Sequence, residues 1–367
     1  MGYFTREQEA PLTRLWDSDD HYEDFGFSVI AQCDGYDIYV WEAVYIFKGG
    51  PARPLSQWLG DGVADHTMIV IAPTAWRGTG MHDNHYLRLG MSTSEYLAHE
   101  DLRIDETDTS VTWRLGNMTY VSELTTGTHS VVGTHGEVHY DLTFEQLPGT
   151  TTVPIFGELE QADEVRAAGA YSYSRCRGTL QIGDRTFAIK DGQGLHEHIA
   201  FSECPAWDVT AIGPKRDMAG GGVYGSFRND ELVVQIHSET PAESTVVVAT
   251  GEETIVFTDD AVELRRVTDW VDPKNGVSVP CRWHIRCTSD DGTVELDVNG
   301  YARGGWPWEL KRSILWQELI LATANGTFTD RAGRQYLVDE VVCCMDHHRM
   351  LITHHETLNG PDTTPTW

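Results

Sequence analysis

Positive charge is scarce in this 367-residue chain: 27 Lys and Arg stand against 56 Asp and Glu, a formal net charge of −29 at pH 7. Nucleic acid and anionic membrane surfaces are held by cationic footprints, so neither is an expected partner. No window approaches 18 uninterrupted apolar residues, which argues against a membrane-spanning helix, and no membrane insertion is expected. The opening stretch MGYFTREQEAPLTRLWDSDD lacks the apolar core of a signal peptide. Seven cysteines, an odd number without a CxxC pair, read as free thiols of a reducing compartment, so a cytoplasmic location is expected. A G-x-S-x-G elbow is absent, and the glycines of DMAGGGVYGSF have neither the spacing nor the following helix of a phosphate-binding loop.

Strand patterns are abundant instead. With 40% hydrophobic residues, 12 Trp, 14 Tyr and 11 Phe, the composition is that of a folded chain with a sizeable core. In GEVHYDLTFEQL, Val138, Tyr140, Leu142 and Phe144 alternate with His139, Asp141, Thr143 and Glu145, the period of a half-buried strand. GTLQIGDRTFAIK reads as a hairpin turning at Gly183-Asp184. DIYVWEAVYIFKGG is apolar on both faces and should be covered on both. Helical periodicity is confined to PWELKRSILWQELILATANG, which carries an imperfect stripe, and to a short piece near TSEYLAHEDL (93–102). A Pro-, Gly- and Thr-rich charged run at 148–168 suggests a connection between a β domain over 1–155 and another over 156–367. The expected fold class is therefore mainly β: two antiparallel barrels or sandwiches with few short helices.

The chemistry concentrates in KDGQGLHEHIAFSE (190–203). On a strand, His196 and His198 share one face and Glu197 takes the other, after glycines at 192 and 194 that permit close backbone approach. With two β-rich halves around it, this segment resembles a motif of the tandem lipocalin-like superfamily, which includes carotenoid 1,2-hydratases, kievitone-hydratase-type proteins and fungal cyclases. There a glycine-rich strand reads approximately G-x-x-Y-x-[DE]-H. The matching positions here are Gly192, Gly194, Leu195, Glu197 and His198, with Leu195 in place of the aromatic and Ile199-Ala200-Phe201 in place of Asn-Trp-Gly. The resemblance implies two lipocalin-like barrels and hydratase, dehydratase or cyclase chemistry on an apolar isoprenoid- or polyketide-type substrate, without a cofactor. Such chemistry needs a carboxyl that can hold a proton in an apolar site, a base to orient water, and aromatic faces for developing positive charge. His196, Glu197 and His198 are the proton-transfer candidates, and Tyr171, Tyr173, Trp207 and His237 the substrate-binding ones.

Two other readings remain open on the sequence. HEHIAFSE has the His-x-His-x4-Glu spacing of a cupin metal motif, with His196, His198, Glu203 and a later His237 as ligands for a transition metal. A non-catalytic carrier of an apolar ligand is the third. GMHDNHYLRLG (His82, Asp83, His85) and CCMDHHRMLITHHE (His348, His354) are weaker constellations, better read as a polar loop and an edge strand. The Trp306, Trp308 and Trp316 cluster reads as packing at a barrel end. Oligomeric state leaves no mark on the sequence.

Overall fold

A computed structural model describes residues 3–12, 21–48, 62–83, 90–153, 167–201, 222–240, 243–251, 253–271, 273, 278–310 and 313–353. One helical turn, α1 (Arg6–Glu9), precedes β1 (His21–Cys33), β2 (Tyr36–Lys48), β3 (Gly62–Pro73), β4 (His82–Asp83) and β5 (Gly90–Leu97). Short strands β6 (Arg103–Glu106), β7 (Ser110–Leu115), β8 (Met118–Glu123) and β9 (Thr128–His135) lead to long β10 (Val138–Val153), β11 (Ala167–Ile182) and β12 (Arg185–Phe201). Next come β13 (Gly222–Arg228), β14 (Leu232–Thr240), β15 (Glu243–Thr250), β16 (Thr254–Thr258) and β17 (Val262–Val271). The described chain ends with β18 (Ser278–Ser289), β19 (Gly292–Leu310), β20 (Ser313–Asp330) and β21 (Gln335–Thr353).

These strands form two antiparallel sheets. The first runs β5-β3-β2-β1-β12-β11-β10-β9-β8-β7-β6, and the second β16-β15-β14-β13-β21-β20-β19-β18-β17, with β4 added in parallel beside β19. One hydrophobic cluster draws side chains from β1–β3 and from β7–β12, so the first sheet curls round its own core; Trp113, fully buried, stacks on Phe25 at 4.1 Å there. The second sheet curls likewise round Phe227, Trp283, Leu296 and Phe328. The outer faces of the long strands meet in a third apolar layer, Tyr39, Trp41 and Met68 against Tyr301, Leu319 and Val342, continued by Tyr171, Tyr173 and Leu195 against Val233 and Val247. The fold is mainly β, two curled antiparallel sheets packed face to face, as the strand patterns imply.

Several expectations are met in detail. Val138, Tyr140, Leu142 and Phe144 are all buried, and Gly183 turns the β11–β12 hairpin at φ 56°. β2 is buried on both faces, Ile38, Val40 and Val44 toward the first core and Tyr39, Trp41 and Tyr45 toward the layer between the sheets. Two expectations need correction. PWELKRSILWQELILATANG is a β19–β20 hairpin with Leu310 opposite Ser313, not a helix. Leu319 and Leu321 face the inter-sheet layer while Ile320, Ala322 and Ala324 face the second core, and a strand apolar on both sides mimics a broken helical stripe. At TSEYLAHEDL, β5 runs through Leu97, and a 3-10 turn follows at His99–Asp101.

β11 and β12 belong to the first sheet, pairing with β10 and with β1, so the change of sheet lies between Phe201 and Gly222. The compositional shift at 148–168 is a connection inside one sheet. β12 covers the edge of β1 that β2 leaves free.

Candidate functional site

The glycine–histidine segment lies in β12, flanked by β1 and β11. Alternation sends Gly192, Gly194, His196 and His198 into the first core and Gln193, Leu195, Glu197 and Ile199 toward the second sheet. The glycines serve packing. A Cβ on Gly194 would sit 2.3 Å from Ser174 Oγ and 2.6 Å from the Phe144 ring, and one on Gly192 would sit 2.7 Å from Val29.

Inside the first core the two histidines meet carboxylates. His196 Nε2 lies 3.3 Å from Glu9 Oε2 and its Nδ1 2.9 Å from the Gly26 carbonyl. His198 Nε2 lies 2.7 Å from Glu23 Oε1 and its Nδ1 2.6 Å from the Gln8 carbonyl. A carbonyl only accepts, so each Nδ1 carries hydrogen, and each Nε2 faces its carboxylate. Glu9 also accepts from the Tyr120 hydroxyl at 3.0 Å and from Ser122 Oγ at 3.0 Å. Burial would raise the Glu9 carboxyl, but His196, His129 and His198 together bring it down to about 2. Burial brings His129 down to about 4 despite the opposing pull of Glu9. The chamber is closed by Phe4, Ala10 and Leu12, all buried.

A second buried carboxyl group lies in the same core. Glu42 accepts from the Tyr140 hydroxyl at 2.6 Å and from Thr67, and burial together with the neighbouring Asp65 carboxylate pushes it well above the usual range. Asp65 in turn lies 3.1 Å from His135 Nε2. Glu42 is therefore a carboxyl that retains its proton, the state the sequence argument demanded of an acid, but both its oxygens are engaged by the barrel.

Glu197 faces the other way, half-buried in the layer between the sheets. Its cross-strand neighbour Tyr171 is hydrogen-bonded to it. Burial raises the hydroxyls of Tyr39, Tyr45, Tyr171 and Tyr173, and the charge of Glu197 adds to the shift at all four. Asp346, from β21 of the second sheet, acts on Tyr39 and Tyr45 as well, so carboxylates of both sheets converge on one group of tyrosines. Asp346 accepts from Gln317 Nε2 at 2.7 Å. On the second sheet, His237 of β14 packs on its cross-strand neighbour Tyr224 at 4.6 Å between ring centres. The Tyr173 hydroxyl is buried and has no hydrogen-bond partner among the described residues.

The structure thus divides the sequence candidates. Glu197, Tyr171, Tyr173 and His237 face the layer between the sheets, whereas His196 and His198 lie behind β12 in a closed core. Trp207 and Glu203 lie outside the described residues. The metal set His196, His198, Glu203 and His237 is not assembled by the described chain: His196 and His198 point into the first core and His237 toward the layer between the sheets. His82 stacks on Trp76 at 4.3 Å and bonds Thr79 Oγ1, but it lies in β4 beside β19 and not in the loop expected, and His85 and His354 lie outside the described residues. Sequence reasoning missed Glu9, Glu23, Glu42 and Asp346. Only the position of Glu42 in a strand rich in aromatic residues marks it in the sequence.

At the level of sequence no family model and no curated protein matches. Solved structures do. CghA in complex with Sch210972 is similar over 90% of this chain and 89% of its own, with TM-score 0.58 and 13% identity. The chain has the paired lipocalin-like fold. A candidate AttH from Nitrosomonas europaea is similar over 94% of this chain and 96% of its own, with TM-score 0.55 and 11% identity. Kievitone hydratase from Nectria haematococca is similar over 95% and 92%, with TM-score 0.51 and 8% identity.

Proposed function

We propose that the chain is an enzyme, a cofactor-independent hydratase, dehydratase or cyclase that works by acid–base chemistry on an apolar isoprenoid- or polyketide-type substrate in the cleft between the sheets. The observation that carries this is the Tyr171–Glu197 pair beside the unpartnered Tyr173 hydroxyl, in an aromatic layer open to neither core. The raised tyrosines keep their protons at neutral pH, so they donate hydrogen bonds to a substrate oxygen and offer ring faces to developing positive charge. Proton transfer falls to Glu197. In a hydration, Glu197 in its acid form gives a proton to one alkene carbon; water attacks the other, and the excess proton returns to the carboxylate. In a cyclisation without water, the acid form protonates one alkene carbon, a second double bond closes the ring on the cation so formed, and the carboxylate takes back a proton as the new double bond forms, leaving the mass unchanged. His196 and His198, behind the strand, hold β12 in register rather than touch substrate. That two structural neighbours are named for a hydratase and for a complex with a small molecule supports the class but not the substrate.

The test is a screen of neutral prenylated phenols, terpenoid alkenes and polyenes with the purified chain in water enriched in oxygen-18. The expected products either gain one labelled water, lose one water, or keep their mass with altered retention. Change in oxidation level, or no conversion together with tight binding, would contradict the enzyme reading; the latter outcome is that of a carrier.

A further inference from the structure

The segment Phe4–Leu12 is held as a peptide ligand is held, by side chains of the barrel and not by continuation of a sheet. The Phe4 N–H donates to Gln146 Oε1 at 3.3 Å, and the Leu12 N–H donates to Glu23 Oε1 at 2.8 Å. The carbonyls of Gln8 and Glu9 accept from His198 at 2.6 Å and from Trp113 Nε1 at 2.9 Å. At its centre the Glu9 carboxylate meets Tyr120 and Ser122 of β8, His129 of β9 and His196 of β12, with His129 Nδ1 at 3.5 Å. Three of these elements converge on one carboxylate from separate positions in the barrel wall. The ring of Phe4 rests 5.0 Å from that of His196, which is itself stacked on Phe27 at 4.4 Å.

We propose that the first barrel is a binding site for a carboxylate on an apolar stem, and that its occupant in this state is the chain's own Phe4–Leu12 segment. The site is separate from the inter-sheet cleft and does not depend on the chemistry assigned there. Both Glu9 oxygens are used, Oε1 by Ser122 and Oε2 by Tyr120 and His196, so a carboxylate, which accepts at two oxygens, fits the end of this apolar chamber where an amide accepts at one. The depressed Glu9 pKa agrees with that preference. A free ligand of this class would be a monocarboxylic acid with an apolar tail, entering where Phe4 and Glu9 now lie.

The test uses the full chain with Glu9→Ala, which deletes the internal carboxylate, and sodium acetate or butyrate as probe against equal sodium chloride. Acetate is expected to raise the melting temperature of Glu9→Ala saturably, by about 3 °C or more, and to move the wild type by less than about 1 °C. A Glu9→Ala/His196→Ala double variant is expected to lose the response. Equal responses in wild type and variant, or an equal effect of chloride, would overturn the proposal. Glu9→Gln decides the matter if the alanine variant is insoluble: it is expected to melt well below the wild type, and wild-type stability in this amide variant would show that the site is not one for carboxylate.

Discussion

His129 has its imidazole pulled to about 4 from an ordinary 6.5 because burial disfavours the cation more than Glu9 favours it. Between those values the unfolded chain binds a proton on this residue that the folded chain refuses. Stability therefore falls as pH drops from 6.5 toward 4, by up to about 3 kcal/mol at 1.36 kcal/mol per unit. Glu9, depressed to about 2 from 4.5, continues the loss in the next window down, since its folded-state advantage is present above pH 4.5 and disappears as pH falls through 2. Urea midpoints between pH 7 and 4.5 should decline in the wild type and much less in His129→Asn; parallel declines would remove His129 as the cause. At this scale the sequence showed which faces His196, Glu197 and His198 take, because alternation is a local property. It could not show that His196 meets Glu9, 187 residues away, since facing direction carries no information about what lies opposite.

β12 shows how a single element joins two interiors. Its inward residues close the first barrel, its outward ones line the cleft, and Gly192 and Gly194 let β12 pack tightly against the first core. Gly194→Ala is expected to destabilise by about 1–3 kcal/mol, as overpacking does, and Ser174→Ala should recover part of that because Ser174 Oγ is the nearest clashing atom. Guanidinium midpoints of the two single variants and the double variant measure the coupling, and additivity would contradict the clash. β10 was legible because its alternation is regular over many residues, and β2, though covered on both faces, because β-branched and aromatic residues fill it. The β19–β20 hairpin was not, since the Leu and Ala of a doubly covered strand such as SILWQELILATANG suit a helix equally well, and the composition at 148–168 does not tell a connection inside one sheet from one between sheets.

The two sheets are tied at identifiable points. Arg228 of β13 donates to the Gly192 carbonyl at 3.1 Å and the Ser174 carbonyl at 3.3 Å, its own N–H donates to Gln193 Oε1 at 2.8 Å, and Gln193 Nε2 donates to the Val342 carbonyl. Further along, the Tyr301 hydroxyl donates to Asp37 at 2.8 Å, and Arg77 closes an ion pair on the same carboxylate. Hydrogen bonds to a charged group are worth about 1.5–3 kcal/mol each when buried. Arg228→Met should therefore lower stability and separate the unfolding of the sheets, seen as a calorimetric enthalpy above the van't Hoff value; a single two-state transition would mean that the apolar layer alone couples them. That layer was visible in the sequence only as aromatic residues without an assigned side.

The central claim is that proton transfer occurs at Glu197 in this cleft, and the most direct measurement is turnover and ligand affinity of Glu197→Gln on whichever substrate the screen identifies. The account gives a loss of at least about 100-fold in kcat, the usual range for a proton-transfer residue, with Kd changed by less than about threefold. Turnover unchanged in Glu197→Gln would place the chemistry elsewhere and contradict it.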